Sequence, residues 1–423
     1  MSDRGKNKRR AGCTAHRLCE INPFVKSGLI IHDPPRHPYP TGPTQGFDPR
    51  RSSKIMTSSS ITWSDPTRAD AFSRWLADIA LQHPLQAGSV RLASADASFR
   101  RYFRVDAVGG AAGEVTAGSY IIMDAPPALE DCKPFVRVGD LLLHAGLNAP
   151  CVLAWDEAQG FMLLSDLGSQ TMLDVIAPPS AAEAITQPTA AHFDLYMEAL
   201  DLLVRWQLAS QPGVLPPYDD ALLSRELALF PDWYVAQYRR FPLNTGLQGK
   251  LDGMFAQIKA SNLQSLAGAR VYVHRDFMPR NLMVADRGEP RLGILDFQDA
   301  VYGPITYDIA SLMRDAFLTW EEDFVLDITV RYWQKARKAG LPVGDDFGEF
   351  YRAVEWMGLQ RHLKVLGIFA RLTLRDGKPK YLADAPRFMK YARDTAARYR
   401  PLGPLMVLLD EIEGNKTRVG YTF

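Results

Sequence analysis

Near residue 166 the apolar pattern of this 423-residue chain changes period, and that change limits what it can fold into. Before it, apolar residues gather in short strand-like runs: "SVRLA" (89–93), "RYFRV" (101–105), "SYIIMD" (119–124), "CVLAWD" (151–156) and "GFMLLSD" (160–166). Connections such as "SADASFR" and "GGAAGE" separate them, so the spacing predicts a small, mostly antiparallel β unit. Helices are expected at its sides. One covers 66–83, with Asp65 before Pro66 and a stripe of Ala71, Phe72, Trp75, Leu76 and Ile79, and the other covers 133–145. After about 170 the period becomes helical, beginning with "FDLYMEALDLLVRWQLAS" (193–210). Further helices are expected near 219–240, 246–267, 305–317, 320–339, 346–373, 380–398 and 402–413. Thr319 and Glu322 form a capping-box pattern for the 320–339 helix. The expected fold class is α+β, with a small β-rich lobe, a connection at 166–170 and a large, mainly helical lobe. A cleft between two such lobes is a favoured place for a ligand.

Composition narrows the function classes. Apolar residues make up 47% and charged residues 23%, the balance of a globular chain with a sizeable core. The formal net charge of +1 implies no general attraction to nucleic acid or anionic membrane. Residues 1–55 are the exception, with eleven Lys/Arg against four Asp/Glu. Pro, Gly and charge dominate there, so residues 1–60 read as a disordered basic extension, and Met56 is a candidate start. The cysteines (13, 19, 132 and 151) have neither zinc-ligand spacing nor a disulfide pattern. No apolar run reaches the length of a membrane span and the start has no continuous apolar stretch for secretion, which makes the cytoplasm the default; a monomer is expected.

Inside the helical half, three short strands interrupt: "RVYV" (270–273), "LMV" (282–284) and "RLGILD" (291–296). They bracket "VHRDFMPRN" (273–281) and lead into "DFQD" (296–299). Phosphoryl transfer asks a protein for three things here: a carboxylate at the attacking hydroxyl, a carboxylate on a divalent metal, and a further oxygen ligand without charge. Asp276 is the candidate base. Asn281 and Asp296 are candidate metal ligands, because two antiparallel strands joined at 285–290 would set them side by side.

"HRDFMPRN" followed by "DFQD" resembles the H-x-D-x-x-x-x-N and D-F-G elements of the protein-kinase-like superfamily. The context "ILDFQDAVYGPITYDIASLMRDAF" is more similar to the aminoglycoside-phosphotransferase branch. "SADASFRRYFRV", "IIMDAPP" and "FMLLSDLG" resemble the bacterial sugar kinases that phosphorylate the anomeric hydroxyl of N-acetylmuramate or N-acetylglucosamine in cell-wall recycling. The resemblance spans about 66–400. It implies a bilobal kinase-like fold, with an ATP-binding lobe at 61–166 and a catalytic lobe at 167–423. It also implies ATP and Mg²⁺ as cofactors, a small-molecule sugar as partner, Asp276 as base, and Asn281 with Asp296 on the metal. His274 then shapes the loop by bonding backbone near Asp296. Ser98, Phe99 and Arg101 would meet the ATP phosphates, and Ser165, Asp166 and Leu167 would form the interlobe hinge at adenine.

One departure stands out. The superfamily usually carries a phosphate-binding Lys on its third strand, and "YIIMDA" has none. Arg100, Arg101 and Lys133 are candidate replacements, with Arg101 preferred for directly following the loop. Asp124 either contacts the cleft or caps the Pro126-Pro127 turn. Asp299 either binds a sugar hydroxyl or caps a turn, Asp308 is read as structural, and Arg314 is a candidate partner for a substrate carboxylate. The rival readings are an aminoglycoside- or choline-type kinase and a nucleotide-binding pseudokinase. The missing Lys favours the pseudokinase, whereas the intact Asp276, Asn281 and Asp296 oppose it.

Overall fold

Alternate residues of the early strands enter two different cores. A computed structural model describes residues 61–95, 99–108, 118–177, 187–285 and 292–414. The expected extension at 1–60 lies outside them. The first lobe runs α1 (Pro66–Ala80), β1 (Arg91–Ala95), β2 (Arg101–Asp106), β3 (Ser119–Asp124), α2 (Lys133–His144), β4 (Val152–Asp156) and β5 (Phe161–Ser165). The second begins β6 (Gln170–Thr171), α3 (Met172–Ile176), α4 (Ala190–Leu208), α5 (Asp220–Leu229), α6 (Thr245–Gly268) and β7 (Arg270–Val273). It continues β8 (Leu282–Val284), β9 (Leu292–Ile294), β10 (Val301–Pro304), α7 (Tyr307–Met313), α8 (Glu322–Lys338), α9 (Phe347–Leu374), α10 (Ala385–Arg398) and α11 (Gly403–Glu413).

The first five strands form one antiparallel sheet in the order β1-β2-β3-β5-β4. Phe103, Val105, Ile122, Phe161 and Leu163 pack beneath Phe72, Trp75, Leu76 and Ile79 of α1. Met123, Met162 and Leu164 face the other way, onto Phe135, Val138 and Leu142 of α2. That second cluster continues through Leu282, Ile294 and Phe297 to Leu203 of α4, Ile309 of α7 and Ile328 of α8. A separate core gathers α5, α6, α10 and α11 around α9. Asp65 caps α1, accepting the Thr67 N–H at 2.9 Å, and Pro66 takes the first helical position.

The expected capping box does not form. α8 starts from Glu321, which makes no side-chain cap. The Thr319 hydroxyl instead shares a 2.9 Å hydrogen bond with the Tyr391 hydroxyl. Trp320 is drawn inward, donating to the Tyr196 hydroxyl at 2.7 Å, and this delays the helix. α5 also does not run straight to 240, because its axis continues as a π-helix over Phe230–Tyr238.

At Gly367 of α9, a Cβ would lie 2.3 Å from the backbone carbonyl of Leu229. Alanine normally improves a helix by about 1 kcal/mol over glycine. Here the obstacle is backbone, so overpacking at about 1–3 kcal/mol outweighs that gain. Gly367→Ala should lower the urea midpoint; an unchanged or higher midpoint would refute this.

Candidate active site

The loop after β7 is held from three sides. β7 pairs with β10, and Asp308, in the first turn of α7, accepts the backbone N–H groups of His274 at 2.7 Å and Arg275 at 2.9 Å. Burial pushes the Asp308 carboxyl up to about 7, while those two donors and Arg361 pull it back. The structural reading of Asp308 therefore has a definite job, which is to pin the loop. His274 is buried, and burial brings its imidazole down to about 4, so the ring is neutral. Its Nε2–H donates to the Leu295 carbonyl at 3.0 Å, and Nδ1 accepts the Asp276 N–H at 3.3 Å. The ring thus links the 274–281 loop to the residue preceding Asp296.

Two non-glycine residues here have left-handed backbones, Arg275 at φ 76° and Asp296 at φ 62°. Such conformations cost energy and persist only where the surroundings impose them. For Arg275 the surroundings are a buried ionic group. Glu226 of α5 receives Arg275 Nη2 at 2.6 Å, Lys364 Nζ at 2.9 Å, the Tyr218 hydroxyl at 2.5 Å and Gln360 Nε2 at 2.8 Å. Burial alone would raise the Glu226 carboxyl, but Lys364, Arg275 and Tyr218 hold it down at about 2.

β8 and β9 pair antiparallel, with Leu282 opposite Ile294, and set Asn281 beside Asp296. The Asn281 amide NH₂ donates to the Asp276 carbonyl at 2.8 Å and approaches Asp296 Oδ2 at 3.5 Å. Asp296 Oδ1 accepts from Gln298 at 2.9 Å. Asp296 is reachable by solvent yet recessed, and this setting raises its carboxyl, with the Asp276 charge adding to the rise. Asp299 contributes to the same negative field. A divalent cation would relieve it. The donors, one carboxylate and one amide, suit Mg²⁺, a hard ion that keeps other positions for phosphate oxygens and water. Among the described residues no group of three or more His, Cys, Asp or Glu could hold a metal alone.

Residues 89–346 match the family described as "Phosphotransferase enzyme family". The chain belongs to that family. The phosphotransferase is 49% identical over 318 residues to a Pseudomonas aeruginosa protein named N-acetylmuramate/N-acetylglucosamine kinase, covering 75% of this chain and 86% of that one. It is 46% identical over 351 residues to a Neisseria meningitidis protein of the same name, covering 82% and 97%. Among solved structures, a Cryptosporidium parvum choline kinase superposes with a TM-score of 0.51 at 11% identity, covering 80% of this chain and 99% of that one. An aminoglycoside 2'-phosphotransferase in its GDP complex gives 0.51 at 15% identity, covering 77% and 97%. The fold is α+β and protein-kinase-like.

The other expected site residues of the phosphotransferase divide. Ser98 lies outside the described residues, and Phe99 is exposed just before β2. Ser165 ends β5, where its Oγ accepts the Cys151 N–H at 2.8 Å. Asp166 binds Arg104 at 2.6 Å, the Ser119 hydroxyl at 2.6 Å and the Gly168 N–H at 3.0 Å; these partners outweigh burial and hold its carboxyl below the usual range. Leu167 packs on Gly293, where a Cβ would come within 2.8 Å of its Cδ1, so the connection is pressed onto β9.

Arg101 does not reach the carboxylates. It shares parity with Phe103 and Val105 and therefore points to the α1 face of the sheet. There it forks onto Asp124 at 3.0 and 2.5 Å and lies 4.0 Å over Trp63. Asp124 takes a second fork from Arg68, so it neither enters the cleft nor caps the proline turn. Arg314 ends α7 in an ion pair with Glu322 at 2.7 Å. It lines a small cavity with Tyr351, Glu355 and His362, apart from the Asp276–Asp296 group. Sequence reasoning missed Glu226 and Lys364, which no local spacing marks.

Proposed function

We propose that this phosphotransferase moves the γ-phosphate of ATP to the anomeric hydroxyl of N-acetylmuramate or N-acetylglucosamine, giving a sugar 1-phosphate. The observation carrying the reading is the identity of 46–49% with two kinases named for those sugars, over 86–97% of their length. Asp276 is the residue that orients the hydroxyl and accepts its proton. His274, neutral and doubly bonded, fixes the loop instead of exchanging protons. Asn281 and Asp296 would hold Mg²⁺, which when bound neutralises charge on the phosphates. Residues 165–167 would meet adenine, and Asp299 would approach the sugar.

The test is product chemistry. Incubation with ATP, Mg²⁺ and each sugar should yield a sugar phosphate that mild acid hydrolyses, as an anomeric phosphate does. An acid-stable product would refute the anomeric position. Absence of transfer to either sugar would refute the substrate.

A further inference from the structure

We infer that Arg100, steadied by Glu130, is the cation that meets the nucleotide phosphates in this chain, in place of a lysine on β3. The inference rests on the reading that ATP binds in the interlobe cleft. Three basic residues, Arg100, Arg101 and Lys133, are the candidates for that role, and geometry separates them. Arg101 is engaged with Asp124 on the α1 face. Lys133, 70% exposed, pairs at 3.1 Å with Glu157, itself 59% exposed. Arg100 alone of these three shares parity with Tyr102, whose ring packs on the inner cluster that contains Met162, Leu164 and Phe297.

The same face of β2 carries Arg104, which grips Asp166 and the Gly168 carbonyl at the interlobe connection. From Arg104 to Arg100 is two double steps along a strand, about 13 Å. That suits a nucleoside triphosphate lying along β2, with its base at the connection and its phosphates at Arg100. The sequence has no lysine on β3, and the register shows how the charge arrives from elsewhere. Met123, the β3 residue facing the inner cluster, sits opposite Tyr102, so the charge comes instead from Arg100, which immediately precedes β2 and stands two residues before Tyr102.

Arg100 is also held. Its side chain is only 8% exposed and bonds Glu130 Oε2 at 3.1 Å. Glu130 lies on the segment leading into α2, whose Phe135 stacks on Phe297 with ring centres 4.9 Å apart. Phe297 directly follows Asp296, so one stack ties the Arg100–Glu130 pair to the metal-binding loop. An arginine can give two N–H donors to phosphate oxygens while retaining a carboxylate partner.

The test is equilibrium binding by calorimetry, with a non-hydrolysable ATP analogue and with adenosine, for wild type and variants whose melting is followed in parallel. Arg100→Met should weaken the analogue roughly 10- to 100-fold and leave adenosine unchanged. Arg100→Lys should recover part of that loss, Glu130→Gln should lose less than Arg100→Met, and Arg101→Met should bind the analogue as wild type does. If Arg100→Met does not fold, the comparison of Arg100→Lys and Glu130→Gln with Arg101→Met decides. The inference falls if Arg100→Met binds the analogue normally, if adenosine weakens equally, or if Arg101→Met suffers the larger selective loss. A wild type that binds neither probe removes the ATP reading itself, and this inference with it.

Discussion

Asp276→Asn is expected to lower kcat by about 10²–10⁴-fold while leaving melting behaviour close to wild type. The side chain changes by one atom and loses its capacity to take a proton. The contacts that hold the loop use other groups at this position: its N–H to His274 and its carbonyl to Asn281. The substitution therefore removes chemistry and leaves the scaffold. It also removes a negative charge that raises the Asp296 carboxyl, so the loop at Asp296 gains no new strain. Steady-state rates with ATP and N-acetylmuramate, beside a thermal melt, check this. A loss under tenfold would mean that Asp276 is not the group accepting the proton.

Glu226→Gln should be costly in another way. It leaves Arg275 and Lys364 inward and without their shared counter-charge, and breaking a buried pair from one side costs about 3–5 kcal/mol. The titration of Glu226 points the same way. Its carboxyl is held at about 2 against an ordinary 4.5, and the difference is worth about 3 kcal/mol. The folded value lies below the unfolded one, so this stability is fully present above about pH 4.5 and is lost as pH falls towards 2. Urea melts from pH 3 to 7 should show wild type losing stability on the acid side, and Glu226→Gln lower at pH 7 with a flatter acid limb. Turnover should fall as well, because Arg275 adjoins Asp276 and its φ of 76° is maintained through Glu226. Glu226→Gln combined with Lys364→Met should regain part of the stability. Equal stability of Glu226→Gln and wild type at pH 7 would overturn the account.

Much of the site could be read locally. The pairing of Asn281 with Asp296 follows from two short strands and a turn, because an antiparallel register sets the residues beside the two strand ends next to each other. The contact of His274 near Asp296 was legible through the family resemblance, whereas Asp308 read only as structural, and its grip on the His274 and Arg275 N–H groups is visible only in the folded chain. The misplacement of Arg101 has a simple cause. In "RYFRV" both parities carry large side chains, and only the packing of α1 decides that Phe103 and Val105, and Arg101 with them, face that helix. The Thr319 box failed because Trp320 had a buried hydroxyl to reach on a distant helix. Glu226 and Lys364 lie 49 and 89 residues from Arg275, and no periodicity encodes a contact at such separations.

The inner cluster, continuous from the β-sheet through Phe297 to α8, has a consequence for how the molecule works as a machine. Cutting the chain at residue 168 would leave an uncovered apolar face on each half, so the two lobes are expected to unfold together. Wide opening would expose that same face to water. The cost of exposing it restrains how far the lobes can part when reactants enter or leave the cleft.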